Sequence, residues 1–328
     1  MASRDSKRPG CVSRVARSPS PVAHNSDVRL TSFQRLALWT TATTYLLILV
    51  GSLVRASGAG LGCPDWPRCF GSWIPPASVE ALPPQFDPSQ FNPRLMWTEY
   101  LNRLLGVTVG FLILATAISA WRHHRREPRI LWTTIAAFLL VGYEGWLGGR
   151  VVAHELAPWI VTAHLIVAII IVQLLLYAML TAFDESRRNA GASPASQAVN
   201  WPYLLLIGLT LVQAAFGTQV RGRIDHAMDA GVARDAALAT VGQLDYLHRD
   251  LAFAVVIGAT VLTLWLFRRR SPSIQWAYLV LALAVAQIGL GLFMAYGSLL
   301  PAAQVGHVTL ASLLLGAETL LWLRGRTG

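Results

Sequence analysis

Apolar residues along this chain collect in eight long runs, at roughly 36–56, 97–121, 130–149, 159–183, 201–219, 246–267, 276–296 and 301–323. They do not fall into short alternating patches. Each run is near the ~20 residues that a helix needs to cross the hydrocarbon of a bilayer. The pattern predicts an all-α integral membrane protein with eight transmembrane helices. It places both chain ends on the same side of the membrane.

Composition agrees, since 54% of the 328 residues are hydrophobic and only 13% are charged. The net charge of +10 raises the question of nucleic acid, but the position of the basic residues answers it. Eighteen of the 27 Lys and Arg lie before the first run, in "RHHRREPR" (122–129), at Arg187 and Arg188, in "RRR" (268–270) and after the last run. In an eight-span chain all of these face one side, which the positive-inside rule makes the cytoplasm. The charge is a topology signal and implies no nucleic-acid partner. Residues 1–34 are rich in Ser, Pro and Arg without apolar periodicity, the composition of a disordered tail. That Arg- and Ser-rich, acid-poor start also resembles a mitochondrial presequence. Clustered prolines and short loops fit a bacterial plasma membrane protein better.

Of the three cysteines, Cys11 sits in the tail, whereas Cys63 and Cys69 bracket "CPDWPRC" in the first outer loop. There the compartment permits a disulfide, and five intervening residues could close a small ring. Free thiols are the alternative. Zinc is disfavoured because no second ligand pair stands nearby.

The chain repeats itself. "EYLNR" (99–103) opens the second run and "DYLHR" (245–249) the sixth. "TAHLIVA" carries His164 early in the fourth run, and "VGHVTLA" carries His307 early in the eighth. Arg55 ends the first run as Arg221 ends the fifth, and Glu144 in "YEGWLGG" corresponds to Gln287 in "AQIGLGL". The expected organisation is two parallel four-helix bundles of the same orientation: a tail at 1–34, an N-terminal bundle at 35–183, a linker at 184–199, a C-terminal bundle at 200–323 and a short tail at 324–328.

Equivalent helices then bring Asn102, His164, His248 and His307 to one depth near the outer face. Charged groups within a span cost about 2.5–3.5 kcal/mol on insertion scales, so polar residues kept there point to function. Two inward imidazoles suit a copper or zinc ion, a haem, or a proton path. The arginines Arg55, Arg103, Arg221 and Arg249 near the same face favour haem, because haem needs axial ligands for iron and cations for its propionates. A bare metal ion would be repelled by them. Snorkelling or helix-end pairing is the plain alternative for any single arginine. The second half holds both imidazoles, whereas the first holds His164 with Glu99 about one turn from Asn102.

With these residues in place, the sequence resembles the haem A synthase family over about residues 36–323. The resemblance rests on "GSLVRASGAGLGCPDWPRCFG" (51–71), "LGGRVV" (147–152), "WIVTAHLIVA" (159–168), "GTQVRGRID" (217–225) and "YLHRDLA" (246–252). It implies that the C-terminal half holds haem b through His248 and His307. It implies that the N-terminal half receives haem O and oxidises a ring methyl to a formyl group, with His164 on the iron and Glu99 as a catalytic acid. Cys63 and Cys69 match a loop pair that forms a disulfide in many bacterial members. The product serves haem-copper cytochrome oxidase, so haem O synthase and oxidase assembly factors are the expected partners.

The chain departs from the family at Asn102, where histidine is usual, and at Glu144, where glutamine is usual. His164 alone would leave one iron face open to oxygen, with Asn102 and Glu99 beside it. The competing accounts are a sixth ligand from His154 or Glu144, a non-catalytic haem carrier, or a di-haem electron-transfer cytochrome. Glu99 favours the enzyme over the carrier. His226 is expected in an outer loop with a helix-like stretch at 226–244, and Trp97, Trp159 and Trp201 read as interfacial anchors.

Overall fold

Each of the eight apolar runs is a helix. The computed structural model describes residues 30–189 and 201–325, and the tail before them, Cys11 included, the rest of the expected linker and the last three residues lie outside. The helices are α1 (Ser32–Ala56), α2 (Pro93–His123), α3 (Pro128–Ala153), α4 (Pro158–Asn189), α5 (Trp201–Asp229), a single turn α6 (Arg234–Ala237), α7 (Gln243–Arg268), α8 (Ile274–Tyr296) and α9 (Pro301–Gly325). Among the described residues there is no strand, and all eight long helices are long and apolar enough to cross a membrane. Large side chains on their outward faces stay uncovered, including Phe111 (68% exposed) and Ile257 (63%). Such faces are unfavourable in water and are satisfied by lipid. Trp97, Trp159 and Trp201 sit exposed near helix starts, as membrane-interface anchors do.

Capping moves several boundaries. α1 starts at Ser32, not at 36, because Thr31 and Gln34 form a reciprocal capping box that draws tail residues into the helix. α2 starts at Pro93, where the Asn92 side chain accepts from the Arg94 and Leu95 amides and proline occupies a position that needs no donor. α4 runs on to Asn189, so the first part of the expected linker is helical. Two side-chain contacts hold it: an ion pair of Asp184 with Arg324 at 2.5 Å and a His124 Nδ1–Glu185 hydrogen bond at 2.9 Å. α5 continues ten residues past the expected end of its run, to Asp229, so His226 lies in its last turn and not in a loop.

α1 packs on α2 and α4, and α3 on α2 and α4; α5 packs on α7 and α9, and α8 on α7 and α9. Between these groups α9 lies against α1 and α4, and α4 against α5. One buried cluster gathers Val109, Ile113, Ala137, Ile171 and Leu175 among α2, α3 and α4. Another gathers Leu206, Val255, Val280, Leu314 and their neighbours among α5, α7, α8 and α9. α9 is the most enclosed span, with 50% of its apolar window buried against 22% for α8. The α4–α5 seam is polar: Thr162 and Thr218 hydroxyls are 2.5 Å apart, and Gln219 Nε2 donates to Thr162 at 2.6 Å.

Candidate functional site

In the second half, α7 and α9 bring His248 and His307 together, with ring centroids 6.3 Å apart and planes inclined by 68°. His248 Nδ1 lies 3.2 Å from the Gln213 carbonyl oxygen on α5. The Gln213 side-chain amide nitrogen also lies 3.3 Å from Nδ1 and 3.4 Å from Nε2 of the same ring, so Gln213 holds His248 with both its backbone and its side chain. His307 Nδ1 is buried without a hydrogen-bond partner. Imidazoles on opposite sides of one metal ion, with metal–nitrogen bonds of roughly 2 Å, have ring centres roughly 6 Å apart. The His248–His307 pair therefore fits a bis-imidazole iron.

In the first half, His164 on α4 lies beside Glu144 on α3, Nδ1 to Oε1 being 3.0 Å. The two atoms are within hydrogen-bond distance, and His164 Nδ1 and both Glu144 oxygens are buried without other partners. The Asn102 amide oxygen is likewise buried and unpartnered. His154 is taken up elsewhere: its Nε2 is 3.0 Å from Arg150 and its ring packs edge-on to Trp159.

Each of these four polar residues lies beside a glycine on a neighbouring helix. A Cβ at Gly217 would come within 2.9 Å of His248 Cε1, one at Gly291 within 3.3 Å of His307 Cε1, and one at Gly148 within 3.5 Å of His164 Cε1. At Gly51 the nearest atom would be Asn102 Oδ1, at 3.9 Å. At Gly217 only glycine lets the imidazole lie this close against the helix backbone; at Gly291 a side chain would be tight, and at Gly148 and Gly51 it would make ordinary contact.

Glu99 and Arg103 do something other than face an open site. Glu99 is 4% exposed; its Oε2 accepts from the Cys63 amide at 2.8 Å, and its Oε1 pairs with Arg103 at 2.5 Å. Arg103 spends all five donors on protein: Glu99 twice and the carbonyls of Cys63, Asp65 and Arg68. That leaves none for a propionate. Cys63 and Cys69 are joined in a disulfide, and Phe70, Met96 and both cysteines form a buried cluster under the loop. Trp66, at the tip of the ring, covers Gly149 of α3.

The other arginines are paired as well. Arg249 holds Asp245 one turn back at 2.6 Å and reaches the Tyr296 hydroxyl at 3.1 Å, repeating the Arg103–Glu99 arrangement. Arg55 and Arg221 meet on Asp225, at 3.0 and 2.7 Å, and Arg221 also donates to Gln304. Arg55, Arg221 and Asp225 line a cleft of about 640 Å³ between the ends of α1 and α5, together with Arg223, Arg234 and His226. Sequence reading passed over Asp225, Gln213 and the four glycines. The glycines of "LGGRVV" and "GTQVRG" lay within quoted motifs, and their facing histidines are the signal that would have found them.

Eight lipid-facing helices with histidines set into glycine notches define a multi-pass membrane protein built around intramembrane imidazole sites. The chain belongs to the COX15-CtaA family of cytochrome oxidase assembly proteins, whose family model matches residues 34–319. It is similar to the protein named Heme A synthase of Geobacillus kaustophilus (strain HTA426), with 32% identity over 156 residues, 48% of this chain and 44% of that one. To the Heme A synthase of Allorhizobium ampelinum it is 25% identical over 240 residues, 66% of this chain and 63% of the relative. These two alignments thus span about half and just under two thirds of the relatives' lengths. A longer match, to the Heme A synthase of Alkalihalophilus pseudofirmus, is 24% identical over 304 residues, 87% of this chain and 95% of the other.

Proposed function

We propose that this protein is a haem A synthase, oxidising a ring methyl of haem O to a formyl group for haem-copper cytochrome oxidase. The observation that carries this reading is the His248–His307 pair at 6.3 Å, set apart from a second histidine site at His164 that has an amide, not an imidazole, in its repeat partner's place. The helix packing, with each four-helix set closed on itself, supports two repeat-related bundles with one site each.

In this reading the C-terminal bundle holds haem b through His248 and His307, a cofactor that when bound passes one electron at a time. Gln213 orients His248 through its backbone carbonyl. The N-terminal bundle receives haem O with His164 toward its iron, while Asn102 offers an amide on a face left without a second imidazole. Glu99 acts through position: it anchors the disulfide loop and Arg103 above that half, so that Trp66 and the ring shut water from it. Arg55 and Arg221 are the arginines best placed for propionates, with Asp225 as their counter-ion until a ligand's carboxylates compete for them. Both termini lie in the cytoplasm of a bacterial cell, as the basic residues indicate. Haem O synthase and the oxidase assembly machinery are the partners upstream and downstream.

The test is mass analysis of haems extracted from cells that co-express this protein and a haem O synthase, with and without Asn102→His. Haem A from the unaltered protein is the expected result. Haem O alone, with haem A restored by Asn102→His, would overturn it and make the chain a haem carrier with a lost ligand.

A further inference from the structure

We infer that Glu144 is the positioning residue of the first-half histidine: its carboxylate takes the Nδ1–H of His164 and so sets how strongly Nε2 binds the substrate's iron. The inference rests on reading the N-terminal half as the haem O site. Three observations lead to it.

First, Glu144 Oε1 stands 3.0 Å from His164 Nδ1, with the acid's side chain only 12% exposed and the imidazole's 40%. That separation is hydrogen-bond distance. Second, neither of these atoms has another partner, and Glu144 Oε2 has none at all. A carboxyl group inside a membrane span is costly to keep, and among the described residues His164 is the one ion-pair contact of Glu144. Third, the chain supplies its own control. In the second half the residue corresponding to Glu144 is Gln287, and His248 and His307 face one another as two imidazoles. The half that lacks an imidazole, having Asn102 in place of the counterpart of His248, is the half that has gained an acid beside the histidine it keeps.

The chemistry connects the two changes. A histidine ligand whose far nitrogen donates to a carboxylate is held in one tautomer and is a stronger electron donor to its metal than one that donates to an amide or carbonyl. A single ligand strengthened in this way can hold iron without help from the opposite side. Glu144 sits on the Nδ1 side of the ring, away from the lone pair at Nε2, so it supports the ligand and does not compete to be one. Gly148, one turn further along α3, leaves room for the ring to lie against the helix.

The experiment uses the full-length protein in detergent, loaded with haem O, as wild type and as Glu144→Gln, which keeps the side chain's shape. Resonance Raman spectra of the ferrous form and a redox titration of the N-terminal haem are the readouts. Glu144→Gln is expected to move the iron–histidine stretching band to lower frequency, raise the midpoint potential of that haem and weaken its retention about 10-fold or more. Signals from the His248/His307 haem should stay in place. An unchanged band and potential would overturn the inference while leaving the haem O site standing. A six-coordinate spectrum that becomes five-coordinate in Glu144→Gln would overturn it in another way, by making Glu144 itself the ligand. If the wild type takes up haem only at His248 and His307, the reading of the N-terminal half fails, and the inference fails with it.

Discussion

The guanidinium of Arg55 lies 3.0 Å from the carboxylate of Asp225, a residue 170 positions further along the chain. Arg221 holds the other oxygen of the same carboxylate at 2.7 Å, so one acid ties the end of α1 to the end of α5. All three side chains are partly exposed, which places the network between a surface pair and a buried one. Asp225→Asn should therefore cost about 1–2 kcal/mol of stability, read as an earlier thermal unfolding midpoint in detergent. The gap between variant and wild type should shrink in 1 M salt, where charges are screened beyond roughly 3 Å.

Glu99 is bound to a backbone amide in a buried contact and to Arg103 in a partly buried one. Its loss therefore strikes the loop before any chemistry. Glu99→Ala should lower stability by about 3 kcal/mol, because Arg103 is left without its only anionic partner among the described residues. Limited proteolysis of residues 57–92 should speed up in the same variant. If haem A output falls while the loop stays as resistant as in wild type, the acid acts on the substrate directly.

Arg103 and the disulfide both constrain the 63–69 ring, and they should not be equivalent. A disulfide closing so short a loop contributes roughly 2 kcal/mol, mainly by restricting the unfolded chain. Arg103 holds the folded ring through three carbonyls. The double change Cys63→Ser with Cys69→Ser should leave haem A production largely intact. Arg103→Lys should abolish most of it, since an ammonium cannot reproduce the planar fork. Comparing the haem A to haem O ratio of the two variants checks the order.

Gly217→Ala should evict His248 from its notch, because the added carbon would lie 2.9 Å from the ring. If His248 and His307 hold haem b as proposed, the expected result is a folded protein without a bis-imidazole absorption spectrum. Gly208→Ala, on the same helix but with nothing within 4 Å of the added carbon, should keep the spectrum and raise stability by about 0.5–1 kcal/mol. Reduced-minus-oxidised spectra and thermal unfolding together separate the two.

The spans were legible in the sequence because a bilayer demands about 20 apolar residues whatever the tertiary contacts. Their ends were less so. Thr31 and Asn92 start helices through hydrogen bonds that hydropathy does not register, and α5 outruns its apolar run because Arg221, Arg223 and Asp225 continue the helix as a polar segment. His248 and His307 could be paired from the repeat alone. The partners of Glu99, Arg103 and His164 could not, since they depend on where the 57–92 loop folds back and on which face of α3 meets α4. Asp225 escaped notice for the same reason: its two cations come from different halves of the chain.

The enclosed position of α9 bears on the order in which the protein is made. This helix follows the other seven spans in the chain, yet it lies against α1, α4, α5 and α8 and carries His307. While a ribosome is still feeding the chain into the bilayer, α1 and α4 have a bare flank and His248 has no opposing ring. Neither the α1–α4 pair nor the α5 and α8 pair can reach its final packing until α9 arrives. Any group held between His248 and His307 would then be taken up only after α9 is in place, and a nascent protein stalled before residue 301 would expose the flanks of α1, α4, α5 and α8 to membrane quality control.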